Sequence, residues 1–149
     1  MKMIIAAALI GIAPSMTQAD NALFIEECAV LIEGDSSVVE LAVPLANTTS
    51  QRAQGLSERS DPGEGMLFEW PDNHKIAFWM KGTSFDLDIA FIGSDGEITS
   101  IHSMVAGSEE LIEADSRAIA ALEVPSGFFH QEGIREGNAV TVSDCYEKL

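Results

Sequence analysis

From Cys28 onward, apolar residues come in short runs closed off by glycine, proline, aspartate and asparagine. That is the pattern of many brief strands, not of long helices. Residues 28–32 and 38–43 read as two strands joined by the turn Gly34-Asp35-Ser36, a hairpin. Residues 66–70 form a short apolar strand that ends at Pro71, and residues 76–80 form another. The clearest hairpin pairs residues 87–92 with 97–101 around Ser94-Asp95-Gly96. Residues 118–124 read as a strand despite their alanines, with a helix as the alternative, and residues 139–143 close the chain after a Gly137-Asn138 turn. Two short helices interrupt this series. Thr48 suits an N-cap, Gln51 three positions on completes a capping box, and Gly55 suits the stop. Residues 126–131 read as one helical turn stopped near Gly133. Residues 104–117 lack periodicity and read as a surface loop. The whole predicts a mainly β fold with two short helices: a compact β-sandwich, a jelly-roll-like fold or a partly closed barrel.

The first residues follow a different rule. Met1-Lys2 precedes an apolar stretch to Ala13, and Thr17 and Ala19 place small residues at an exit. This predicts a secretory signal over 1–19, cut after Ala19, with an uncleaved anchor as the alternative. The apolar stretch falls short of the roughly 20 residues that span a bilayer. Residues 20–149 then form one β-rich domain, periplasmic or secreted, with no later membrane span expected. Removing 1–19 with its single charge, Lys2, leaves 7 basic and 24 acidic residues, net −17 in place of −16. Such a field repels nucleic acid and anionic membranes. Cys28 and Cys145 are the two cysteines. In an oxidising compartment they are expected to form a disulfide, which requires the first and last strands to be neighbours. The alternative is two independent buried thiols.

The order of motifs is similar to one known family. Thr48-x-x-x-Arg52-x-x-Gly55-Leu56-x-x-Arg59 is followed by Gly65-Met66-Leu67-Phe68, Phe78-Trp79-Met80-Lys81-x-Thr83 and Leu87-Asp88-Ile89-x-Phe91-Ile92. Asp95-Gly96, Leu122-Glu123-Val124-x-x-Gly127 and Gly133-Ile134-x-x-Gly137 complete the series. Over residues 38–142 this resembles the bacterial and archaeal family called domain of unknown function 192. The resemblance implies a mainly β, often exported fold of sandwich or jelly-roll type, and supplies no catalytic residues. Two positions depart from the family pattern. Its Pro two residues before Leu-Asp-Ile is replaced by Phe85, and the basic residue four before the Glu by Ile119.

Four of the basic residues fall between positions 52 and 81: Arg52, Arg59, Lys75 and Lys81. An anion pocket of Arg52, Arg59 and Lys81 is one reading, because Arg grips a carboxylate or phosphate with two parallel hydrogen bonds. Internal ion pairs, for example Arg52 with Asp88 or Glu123, are the other. Trp79 with Lys81 beside it makes a ligand platform, with Thr83 from the same motif; the plainer reading is a Lys stem lying over Trp. Asp88 and Glu123 are candidates for acid and base. Asp86 shares a strand face with Asp88 but reads as a polar edge, and Asp88 also fits a structural, hydrogen-bonded turn. Glu123 lies in an apolar stretch and needs a partner or a raised pKa if buried. His74, His102 and His130 have no ligand spacing, so no metal and no cofactor is expected. Three functions follow: a binding or accessory module for a small polar or anionic ligand, a glycan or a protein segment; a carboxylate-dependent hydrolase or lyase on an envelope polymer; or a structural member of an envelope complex. The expected state is a monomer.

Overall fold

The computed structural model describes residues 26–147, so the signal expected over 1–19 lies outside the described residues. The strands are β1 (Glu26–Glu33), β2 (Val38–Ala46), β3 (Met66–His74), β4 (Ala77–Phe78), β5 (Leu87–Ile92), β6 (Ile98–Met104), β7 (Ile112–Glu113), β8 (Ala118–Pro125) and β9 (Ala139–Glu147). The helices are α1 (Thr49–Gln54) and α2 (Phe128–Gln131). Seven strands form one mixed sheet in the order β6-β5-β8-β3-β2-β1-β9, and β4 pairs with β7 in a separate two-stranded sheet.

The large sheet is antiparallel except where β2 meets β3, which run parallel through Leu45↔Leu67 and Ala46↔Phe68. A parallel pair cannot be closed by a tight turn. The connection here carries α1, and this is why a helix sits over the sheet at that point. The helix begins as its sequence directs. Thr48 Oγ1 accepts from the Gln51 amide at 3.2 Å, while Gln51 Oε1 accepts from the Thr48 amide at 3.0 Å. Gly55 ends it at φ 51°.

Strand alternation sorts the core into two layers. On one face, Val30 and Ile32 (β1), Leu41, Val43 and Leu45 (β2), Leu122 and Val124 (β8) and Ala90 and Ile92 (β5) pack together under Phe129 and Ile134. On the other, Met66, Phe68, Leu87, Ile89, Phe91 and Ala121 are covered by Leu56 from the turn after α1, Phe78 from β4, and Ile76, Met80 and Ala114 from the connecting segments. The sheet curls until the β5–β6 turn touches the entry to β9, through Ile98 N–H to Asn138 O (3.0 Å) and Val140 N–H to Gly96 O (2.8 Å). No ladder joins β6 to β9. The fold is therefore a two-layered, sandwich-like sheet that is not closed into a barrel.

Cys28 and Cys145 are bonded, 117 residues apart in sequence. As the bridge requires, β1 and β9 are neighbours. The ladder shifts register between Glu27 and Ala29, where Asp144 takes φ 49°, and this bulge presents Cys145 to Cys28.

Two segments differ from the sequence expectation. β3 runs on past Pro71 to His74, with a register shift against β8 between Glu69 and His74. A proline has no amide to donate and is tolerated in such a shift. Within 104–117, β7 pairs with β4, and Ala114 donates its amide to Ile76 O at 2.9 Å. A two-residue strand is too short to leave a periodic signal. Among the described residues, no helix is long and apolar enough to cross a membrane.

Candidate functional site

The second core layer does not fill the space beneath α1. A cleft of about 380 Å³ remains between α1 with its following turn, β3, β4 and β8. Phe68, Trp70, Phe78 and Trp79 supply aromatic walls, and Thr49, Gln54, Ser57 and Thr83 supply neutral hydrogen-bonding groups. Among the described residues, two ionisable ones line it: Arg52 and Glu123.

Glu123 comes from the middle of β8, where its cross-strand partners are Met66 on β3 and Ile89 on β5. Both are fully buried and apolar. Glu123 itself is 4% exposed. Burial pushes its carboxyl up to about 8, and no ion pair or side-chain hydrogen bond offsets this among the described residues. At neutral pH the group is a neutral acid, able to donate one hydrogen bond and accept others. Gly65, at φ 125°, lets the chain pass against this strand: a Cβ there would fall 2.0 Å from Glu123 O.

Arg52 projects from the last turn of α1. Its Nη1 donates to Asn47 O at 2.6 Å and to Glu69 O at 2.8 Å, and its guanidinium carbon lies 5.2 Å from the Trp70 ring centroid. These contacts replace the ion pairs with Asp88 or Glu123 expected as one alternative. Trp70 in turn stacks with Phe68 at 6.4 Å and meets Phe78 edge-on at 6.1 Å. A second groove, lined by Asn47, Thr48, Glu69 and Pro71, shares Thr49, Arg52 and Trp70 with the cleft. Burial, with Glu26 nearby, raises the Glu69 carboxyl above its ordinary value.

Trp79 is 51% exposed at the cleft mouth. Lys81 Nζ lies 5.3 Å from its ring centroid and pairs with Glu109 Oε1 at 3.3 Å, both partners well exposed. Lys81 and Arg59 are not among the lining residues.

Asp88 has another place altogether. It pairs across the sheet with Val124 and Ser103, one residue out of phase with Glu123, so the two carboxylates lie on opposite faces. Its Oδ1 accepts from Ser103 Oγ at 2.9 Å and its Oδ2 from the Gly127 amide at 2.8 Å. An acid–base pair of Asp88 and Glu123 is thus ruled out by sheet geometry. Asp86 accepts from the Ala106 amide at 2.8 Å and anchors the segment beyond β6. Among the described residues, no group of three or more His, Cys, Asp or Glu is arranged to hold a metal ion.

The model of the DUF192 family, described as uncharacterized ACR, matches residues 30–142. The chain belongs to the DUF192 family. A crystal structure from Sinorhizobium meliloti 1021, named as a candidate transcription regulator, is similar at 34% identity and a TM-score of 0.75, over 80% of this chain and 95% of that one. A protein of unknown function from Novosphingobium aromaticivorans DSM 12444 is similar at 30% identity and a TM-score of 0.74, over 77% and 84%. No curated protein matches the chain.

Within this DUF192 chain, motif segments that are distant in sequence meet at the cleft. Arg52, Gly55 and Leu56 come from one, Phe68 from the next, Phe78, Trp79 and Thr83 from a third, and Glu123 from a fourth. Of the sequence candidates, Arg52, Trp79, Thr83 and Glu123 are brought together. Trp70 was not foreseen. It lies two residues after Phe68 on β3, and that period-2 pair of aromatics is the signal that marks it.

Proposed function

We propose that this protein is an exported binding module whose cleft takes a small polar or anionic ligand carrying a ring. One observation carries this reading: the carboxyl of Glu123, a residue only 4% exposed, lies inside an aromatic-walled cleft with no ion pair or side-chain hydrogen bond among the described residues. Burying such a group without a partner costs free energy, and sites of this kind cluster where a ligand supplies the missing contact. The exposed ring of Trp79 at the mouth supports ligand stacking over a purely structural role. A disulfide and the signal pattern of 1–19 support work outside the cytoplasm. The net charge of −16 argues against nucleic acid as the partner. An enzyme that divides acid and base between Asp88 and Glu123 is not supported, because the sheet separates them.

The test is a thermal-shift screen against sugars, small carboxylates, nucleotides and metals. A ligand at 100 times its Kd adds about 2.7 kcal/mol of stability. We expect stabilisation by a ring-bearing polar compound, recovered unchanged afterwards, and loss of that shift in Trp79→Ala. Silence across the screen would refute the small-ligand reading.

A further inference from the structure

The cleft's chemistry narrows the ligand further, on the strength of the binding reading above. Arg52 is the one cationic side chain among the described residues that line the cleft. Both of its hydrogen bonds to the protein use Nη1, and two backbone carbonyls together with the Trp70 face fix the guanidinium plane. Among the described residues, Nε and Nη2 have no protein acceptor, and no carboxylate pairs with Arg52. An Arg held in this way presents two parallel N–H donors to a planar anion, the geometry that a carboxylate matches. Charge balance agrees. With Glu123 neutral, one guanidinium neutralises one carboxylate, whereas a doubly charged phosphate would leave an excess of negative charge in an already acidic protein. The other lining groups are flat aromatic faces beside hydroxyl and amide side chains such as Thr83 and Gln54. Aromatic faces receive the C–H face of a sugar ring, and neutral polar groups meet its hydroxyls.

We infer that the ligand is an acidic saccharide, a sugar ring bearing a carboxylate, with the carboxylate on the Nε–Nη2 edge of Arg52 and a ring or hydroxyl oxygen on the buried Glu123 carboxyl. The anion is accepted despite the protein's overall charge because the cleft contributes a positioned cation and no ionised carboxylate of its own.

The experiment is titration calorimetry of the purified protein with D-glucuronate and D-glucose, a pair that differs at one carbon, at neutral pH. The expected result is glucuronate binding at least about tenfold tighter than glucose, the scale of one charge-assisted bidentate contact. In Arg52→Gln the two sugars should bind alike, at the weaker affinity. Arg52→Lys, which keeps the charge and loses the fork, should forfeit most of the preference; circular dichroism verifies that both variants are folded. Equal affinities in the wild type, or full preference in Arg52→Lys, would overturn the acidic-saccharide inference and leave the binding module standing. If neither sugar binds, the inference fails; the binding reading fails with it only if the wider thermal-shift screen is also silent.

Discussion

Glu123 exerts a pull on the fold that can be measured without any ligand. In an unfolded chain its carboxyl titrates near 4.5, and in the folded protein near 8. Between these values the folded state holds a proton that the unfolded chain has released. Stability therefore falls as pH rises through that window and levels off above it, by an amount on the order of 4 kcal/mol. Urea unfolding at pH 5 and pH 9 should show this drop in the wild type and a clearly smaller one in Glu123→Gln, with the variant the more stable of the two at pH 9. Gly65 makes the neighbouring case. Its φ of 125° and the 2.0 Å approach to Glu123 O leave no room for a methyl group. Gly65→Ala should cost at least about 3 kcal/mol in denaturant titration, since the obstacle is backbone and cannot swing away. Asp88 gives the opposite signature to Glu123. Asp88→Ala strands the Gly127 amide and should cost about 1–3 kcal/mol while leaving ligand affinity unchanged in calorimetry, because the residue faces away from the cleft.

At the scale of elements, α1 is small but decisive. Its six residues cannot be stable alone, so its capping box and the burial of Leu56, just past its C-cap, in the second core layer hold it in place. Thr48→Ala should cost about 1 kcal/mol by denaturant titration, and should weaken ligand binding as well, since the helix carries Arg52. The sequence made this helix readable because capping is local chemistry: Thr48, Gln51 and Gly55 fall at fixed spacing. The β5–β6 hairpin was readable for the same reason, from Asp95-Gly96. What local chemistry cannot express stayed hidden. The β4–β7 pair joins residues more than thirty positions apart, and the Asp88–Glu123 separation depends on the register between β5 and β8. The sequence offered both carboxylates as acid and base, beside a structural turn for Asp88 and burial for Glu123; only the sheet decides that one faces the cleft and the other supports α2. Trp70 escaped for a related reason, since Pro71 beside it reads as the end of a strand when β3 in fact continues.

For the molecule as a whole, the two core layers divide the labour. The layer beneath α2 is sealed by β1 and β9 and their disulfide, and the layer beneath α1 holds the cleft. A bridge closing a loop of this length restricts the unfolded chain by about 4–5 kcal/mol in the chain-entropy model. Cys28→Ala with Cys145→Ala should therefore unfold at markedly lower urea concentration than the oxidised wild type and should match the wild type once that is reduced. The same bridge has a mechanical consequence. It joins the first described strand to the last, so the covalent path between residues 26 and 147 is only a few residues long, while α1, β3, β4 and β8 hang from it as a closed ring. Tension applied to the two ends would run through the sulfur–sulfur bond and bypass the ring. While the bridge stands, the cleft is shielded from a pull on the two strands that the bridge joins.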